Sequence, residues 1–204
     1  MTGQTQKDIA AELMERHGPS LAGELGLDLA GNTPSALFRF LCASLLLSAR
    51  ISSDIAMRAA DALAEAGWTT PAKLADSTWR ERADVLNEAG YARFDEKTST
   101  MLGDLAEKLL DDYGGDLRSL RQAAGRDPAE ERRLLKDFKG IGDLGADIFC
   151  REVQVAWEEL YPFADARALA AAAGLGLPNV AEDLAALVAR DAFPRLLAAV
   201  MRAE

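Results

Sequence analysis

Two glycines separated by one residue, Gly140 and Gly142, form the part of the sequence best suited to binding an anion. They lie between a predicted helix that ends near Phe138 and another that begins just after Gly142. Glycine tolerates positive φ, and the first turn of the second helix presents amides that have no partner within the helix. Those amides and the helix dipole would suit a phosphate group. An ordinary turn between two helices is the alternative interpretation of the same residues.

The surrounding sequence predicts the helices that would position this turn. Alanine and leucine are abundant, β-branched residues are sparse, and no long apolar/polar alternation occurs, so we expect an all-α protein. Caps, prolines and glycines mark the helix ends. The predicted helices up to the glycine turn are Pro34 to Ala49, Ser53 to Gly67, a short one from Pro71, Asp76 to Gly90, Asp95 to Tyr113, and Pro128 to Phe138. The helix after the turn has Phe149, Val153, Trp157 and Leu160 on one face and ends near Pro162. Two more are predicted from Asp165 to Gly174 and from Ala181 to Arg202, the latter with a break at Pro194.

The charge is spread unevenly along the chain. The total is 23 basic against 33 acidic residues, a net charge of −10, which does not by itself indicate a nucleic-acid-binding protein. Residues 117–140 carry 7 basic and 4 acidic groups and form the net-basic part, immediately before the glycine turn. The cations nearest the turn either form a solvated helix face or attract an anion. They are Arg132, Arg133, Lys136 and Lys139.

Several classes of protein are excluded by composition. Two cysteines, Cys42 and Cys150, and one histidine, His17, cannot supply a four-ligand zinc site, a four-cysteine iron–sulfur cluster or a disulfide framework, so no metal site is predicted. The N-terminal residues lack the apolar core of a signal peptide. The longest apolar run, 36–49, falls short of the roughly 18 residues that a membrane span needs. We therefore expect a cytoplasmic protein without membrane association.

Four segments of this chain resemble, in order, the endonuclease III-like DNA glycosylases of the helix-hairpin-helix superfamily. Residues 138–142, Phe-Lys-Gly-Ile-Gly, are similar to the family hairpin Leu-Pro-Gly-Val-Gly, with lysine in place of proline. Residues 46–50, Leu-Leu-Ser-Ala-Arg, resemble Leu-Leu-Ser-Ala-Gln. Residues 89–91 with the later Lys97 resemble the family's Gly-Leu/Tyr segment with its downstream lysine, and residues 163–167 stand where the family has Val-Asp-Thr-His. Order and spacing agree over about residues 33–176.

The resemblance implies a two-lobed helical fold with a central six-helix lobe. That lobe would comprise residues 33–150, with the helix-hairpin-helix near 128–160, and residues 1–32 plus 151–204 would form the second lobe. Double-stranded DNA containing a damaged base would be the partner and would lie across the cleft between the lobes. In this family the damaged nucleotide is flipped out of the duplex before its base is released.

The resemblance also assigns DNA-binding positions. Arg50 would fill the gap left by the flipped nucleotide or, alternatively, act as a cation at a helix C-terminus. Tyr91 and Arg93 would wedge into the duplex or cover the core. The predicted DNA-binding residues are Lys136, Lys139, Gly140, Ile141, Gly142, Arg50, Tyr91 and Arg93.

Asp165 would be the catalytic residue under the same resemblance. A carboxylate in a water-poor site stabilises the positive charge that develops on the sugar as the glycosidic bond breaks. The alternative role is a plain helix N-cap. Leu144 occupies the position of the lysine that forms a Schiff base in bifunctional members, so we predict no lyase activity by that route. No cofactor is expected, although a monovalent cation could share the hairpin carbonyls.

The leading functional prediction is therefore a monofunctional DNA glycosylase that hydrolyses the N-glycosidic bond of a damaged base. The first alternative is a non-catalytic helix-hairpin-helix module that binds the DNA backbone. The second is a helical protein-interaction scaffold, which the acidic net charge favours.

Overall fold

The computed structural model describes residues 5–92 and 94–203, which form helices and turns and contain no β-strand. The all-α prediction is therefore confirmed. The chain divides into two units, one made of residues 31–149 and the other of residues up to 30 together with residues from 150 onward. None of the helices in the described residues is long and apolar enough to cross a membrane.

Thirteen α-helices are formed by the described residues, together with a few short irregular turns. Three such turns are a π-type turn at Asn87–Tyr91 and 3₁₀ turns at Glu158–Leu160 and Arg190–Ala192. The α-helices are α1 Gln6–His17, α2 Leu21–Glu24, α3 Pro34–Leu47, α4 Ser53–Glu65, α5 Pro71–Ala75, α6 Trp79–Leu86, α7 Asp95–Tyr113, α8 Leu117–Ala123, α9 Pro128–Lys136, α10 Asp143–Val153, α11 Ala166–Gly174, α12 Ala181–Ala185 and α13 Phe193–Ala203.

Capping residues begin most of these helices where the sequence indicated. Asp127 accepts the amide of Glu130 ahead of the N1 proline of α9. The start of α6 differs from the prediction, because Thr78, rather than the expected Asp76 and Ser77, forms a capping box with Glu81. Helix α8 was not predicted at all.

Two predicted helices end or break elsewhere. The apolar stripe that includes Trp157 and Leu160 is buried as expected, but α10 ends at Val153 and Trp157 has extended backbone. Spacing of apolar residues predicted their burial correctly and the helix length wrongly. Pro194 does not break a helix either, because it lies in the first turn of α13, where its missing N–H loses no intrahelical bond.

The unit of residues 31–149 is built around α3, which is buried along most of its length. The ring of Phe40 lies 6.1 Å from that of Phe149 on α10. Phe138, which follows the C-terminal end of α9, is buried against Tyr113, with ring centroids 6.1 Å apart. Helix α10 therefore packs against α3, and the turn before it packs against the end of α7.

The other unit joins chain segments that are distant in sequence. Its core contains residues of α1, α11, α12 and α13. Glu152, which is buried, accepts the amides of Leu21 and Ala22, each at 3.1 Å, and so caps α2 from 130 residues away. On α13, Arg202 donates to the carbonyl oxygens of His17 and Pro19 at 2.6 Å. These polar bonds fix the N-terminal helices against the C-terminal ones.

Candidate nucleic-acid interface

The hairpin between α9 and α10 is a tight turn of residues 138–141. The amide of Ile141 donates to the carbonyl oxygen of Phe138 at 3.0 Å and closes the turn. Gly140 occupies its third position with φ of 96°, a conformation that favours glycine. The side chains of Phe138 and Ile141 are buried and anchor the turn on both sides of Gly140.

Gly140 is required by packing as well as by its backbone angle. A Cβ atom at this position would lie 2.8 Å from Met101 Sδ and 3.2 Å from Leu45 Cδ1. The hairpin therefore rests closely on α7 and on the last turns of α3. A larger residue at position 140 would push the hairpin away from both helices.

Gly142 has no comparable structural requirement. A Cβ atom there would meet nothing within 4 Å, and its φ is not in the positive region. Its carbonyl accepts the first hydrogen bond of α10 from the amide of Ala146 at 3.0 Å. The amides of residues 143–145 thus lie in the first turn, where helix geometry supplies no acceptor. The backbone is open to a ligand at this point.

Three of the four sequence segments that resemble the glycosylase family meet at the C-terminal end of α3. Leu45 contacts the hairpin at Gly140, as described above. The hydroxyl of Tyr91 donates to the carbonyl oxygen of Leu46 at 2.9 Å. The segments 46–50, 89–91 and 138–142 are therefore neighbours within the same unit.

Three residues outside the hairpin were predicted to contact DNA, and the structure places two of them in different environments. Arg50 is exposed in the turn that follows α3, a position that leaves both of its predicted roles open. Tyr91 is fully buried, so its predicted insertion into DNA is corrected to the alternative of covering the core. Burial also raises the pKa of Tyr91 to about 12. Arg93 lies outside the described residues.

Acidic neighbours neutralise the cations of the hairpin region. Lys139 Nζ lies 2.7 Å from Asp104 Oδ2, and Lys136 Nζ lies 3.0 Å from Asp143 Oδ1. Arg132 contacts Asp143 at 3.0 Å and Asp147 at 2.8 Å. The net-basic window in the sequence is thus largely paired in the fold, partly with acids from outside that window.

The hairpin carbonyls have the chemistry to hold a monovalent cation. Two of them, on Phe138 and Gly142, each accept one amide hydrogen bond, and a carbonyl oxygen has a second lone pair. A cation bound there would be coordinated by carbonyl oxygens that also accept the amide hydrogen bonds of Ile141 and Ala146. In the described part of the chain, no group of three or more His, Cys, Asp or Glu side chains could hold a metal ion.

Asp165 is a partly exposed helix cap that also forms an ion pair. Its Oδ1 accepts the amides of Arg167 and Ala168 at 3.0 and 3.2 Å, which begins α11. Its Oδ2 lies 3.1 Å from Arg151 Nη1. The two side chains are only 11% and 9% exposed. The capping role expected as the alternative is present, and the pairing with Arg151 adds a second structural role.

Gln154 fixes the loop that leads to Asp165. Its Oε1 accepts the amide of Phe163 at 2.9 Å, and its Nε2 donates to the carbonyl oxygens of Phe163 at 3.0 Å and Arg151 at 2.7 Å. Gln154 is fully buried. Arg151 and Gln154 together hold Asp165 in one orientation, and sequence reasoning found neither of them.

One signal in the sequence pointed to Arg151 and Gln154. Both polar residues interrupt an apolar run that contains Cys150 and Val153, and a polar side chain in a buried face needs a partner. The partner could not be identified from spacing, because Asp165 belongs to another element.

Leu144, the residue in place of the lyase lysine, is the second residue of α10 and is 42% exposed.

Comparisons with known proteins give one structural similarity. No family model matches the chain, and no curated protein matches it. A structure of a trapped endonuclease III–DNA covalent intermediate, in an estranged-adenine complex, aligns over 79% of this chain and 70% of its own chain. The two share 17% sequence identity, with a TM-score of 0.49.

Proposed function

We propose that this protein is a DNA glycosylase-like protein that binds duplex DNA through its hairpin and releases a damaged base by hydrolysis, without a Schiff-base step. The hairpin would bind one phosphate of the backbone through the amides at the start of α10. Asp165 would stabilise the positive charge on the sugar. Leu144 has no amine and α10 contains no lysine, so this helix offers no nucleophile for an imine.

The open backbone at Gly142 is the observation that carries the proposal. Gly140 is explained by its φ and by its contact with Met101, whereas nothing in the fold requires glycine at position 142. A glycine without a steric reason, beside unpaired helix amides, is what close approach of a phosphate to the backbone needs. The convergence of the three family-like segments on the end of α3 supports the same assignment.

Gly142→Ala tests the DNA contact directly. The added methyl group meets no protein atom, so the fold should be kept, but it would lie between a phosphate and the amides. We expect a similar loss of affinity for every duplex sequence, measured by fluorescence anisotropy. Gly174→Ala is the matched control, because a Cβ there also meets nothing within 4 Å, and it should leave affinity unchanged. Equal affinities for both folded variants would remove the hairpin from the DNA contact.

Asp165→Asn tests base release. Loss of one preorganised charge should slow single-turnover release on the order of 10²-fold or more. Asparagine still caps α11, but it leaves Arg151 without its carboxylate, so the variant will also be less stable. Assays should therefore be run well below the melting temperature of the variant, on alkylated, oxidised and deaminated substrates. An equally active Asp165→Asn protein would leave Asp165 as a cap only.

The buried ion pair favours one second candidate, a non-catalytic DNA-binding module. One carboxylate oxygen of Asp165 accepts helix amides, and the other, which has no hydrogen-bond partner, lies at ion-pair distance from Arg151. A carboxylate committed in this way has its charge partly balanced before any substrate binds. Duplex binding by a wild-type protein that releases no base from the substrate panel would establish this second function.

A further inference from the structure

Asp143 lies at the place where the hairpin would bind a phosphate. It is the first residue of α10, and its side chain is 73% exposed. Its Oδ1 lies 3.0 Å from Lys136 Nζ and 3.0 Å from Arg132 Nη1. The hydrogen bond from Lys136, together with the charges of Lys136 and Arg132, holds the pKa of Asp143 below its usual range.

A DNA phosphate at this hairpin would be attracted by the same groups. The positive end of the α10 dipole and the ammonium of Lys136 favour any nearby anion. The carboxylate of Asp143 is covalently attached beside them and is therefore present at a high effective concentration. Two negative groups near the same positive end also repel each other.

We propose that Asp143 is an intramolecular competitor of the DNA phosphate and sets the affinity of the hairpin for the DNA backbone. The inference rests on the proposed function, since it takes the hairpin as the DNA contact. It identifies Asp143 as the residue that keeps this contact weak. When a phosphate displaces the carboxylate, Lys136 changes partner from Asp143 to the DNA.

Lys136 is the cation that this exchange releases. Arg132 has a second acid, Asp147, at 2.8 Å and keeps that partner when Asp143 leaves. Removing the carboxylate should therefore free one cation for the DNA. Each neutralised phosphate adds about 0.9 to the slope of log affinity against log salt concentration.

The test compares Asp143→Asn with two further variants in duplex binding. Asp143→Glu keeps the charge at the start of α10. Asp137→Asn removes the same charge from the same motif, but from a residue paired with Arg133 at 3.2 Å rather than with Lys136. Affinity for a labelled, undamaged duplex is measured over a series of potassium chloride concentrations, after thermal unfolding has shown that each variant is folded.

Asp143→Asn should bind on the order of tenfold more tightly than wild type at low salt, because a charge at a helix terminus and its ion pairs have been removed. Its salt slope should be steeper by about one. Asp143→Glu and Asp137→Asn should bind close to wild type. If Asp143→Asn binds the duplex and wild type does not, the Asp143 carboxylate alone is sufficient to prevent binding, which would also support the proposal.

Two results would overturn the inference and leave DNA binding intact. One is a wild type that binds DNA together with an Asp143→Asn variant that binds no more tightly. The other is an equal gain for Asp137→Asn, which would show a general effect of net charge. Absence of binding by all four proteins at low salt would instead reject the proposed function, and the inference with it.

Discussion

Asp143 and Asp165 are two aspartates that each stand at the beginning of a helix, and the structure uses them in opposite ways. Asp143 is exposed at the start of α10 and pairs with Lys136 and Arg132 on the surface. Asp165 has a side chain that is only 11% exposed at the start of α11, where it caps the helix and pairs with Arg151. Asp143 is the first residue of α10, whereas Asp165 is the N-cap that precedes α11. The exposed fraction of the side chain, 73% for Asp143 and 11% for Asp165, separates the two roles further.

The difference shows where a charge can be changed without loss of the fold. An exposed ion pair is screened by water and salt, and both side chains give up conformational freedom to form it. A buried pair leaves an uncompensated charge when one partner is removed. Asp143 is therefore free to serve binding, whereas any catalytic use of Asp165 has to be compatible with its structural role.

The largest expected effect is on stability. Asp165→Ala removes the α11 cap and leaves Arg151 buried without its carboxylate, so we expect a loss of about 3–5 kcal/mol in the free energy of unfolding. Asp143→Ala should change stability little, because its partners remain solvated. Urea denaturation of both variants measures the contrast. Similar losses at the two positions would show that burial does not distinguish them.

Coupling energies sharpen the same comparison. A double-mutant cycle of Arg151→Met with Asp165→Asn should give a coupling of about 0.5–3 kcal/mol, the range for residues in direct contact. This coupling should persist in high salt, since the pair is shielded from ions by protein. A cycle of Lys136→Met with Asp143→Asn should give a smaller value that disappears as salt is added. A salt-sensitive Arg151–Asp165 coupling would indicate that water reaches this pair.

The smallest effect concerns acid pH. Lys136 and Arg132 hold the folded-state pKa of Asp143 below its unfolded value, so Asp143 stabilises the fold above the usual aspartate pKa of about 3.9. That contribution is lost as the pH falls through the lowered pKa. Wild type and Asp143→Asn should thus differ slightly at pH 6 and converge in strong acid. A difference that grows on acidification would contradict the sign of the shift.

Local signals were sufficient for much of the fold. Thr33 with Pro34 and Asp127 with Pro128 place helix starts through interactions between near neighbours, and α3 and α9 begin where these residues predict. The turn at Gly140 was also readable, because a glycine with positive φ acts within its own turn. The predicted phosphate contact at the hairpin and the predicted catalysis by Asp165 remain proposals.

Distant partners explain what the sequence could not show. Lys139, which is predicted to contact DNA, forms an exposed ion pair with Asp104, which lies 35 residues earlier on α7. Tyr91 looked equally suited to surface and core until its hydroxyl was found to donate to Leu46, 45 residues earlier. The partner of Arg151 is likewise on another helix. Spacing along one helix carries no information on such pairings.

The capping of α2 by Glu152 has a consequence for synthesis of the chain. Helix α2 is synthesised before its capping group, because the carboxylate that satisfies the amides of Leu21 and Ala22 follows about 130 residues later. Residues 31–149 are continuous and can fold while the ribosome is still translating the remainder. The side of α1 that packs in the core of the other unit, with Ala10 and Leu13, stays uncovered until α13 has been synthesised.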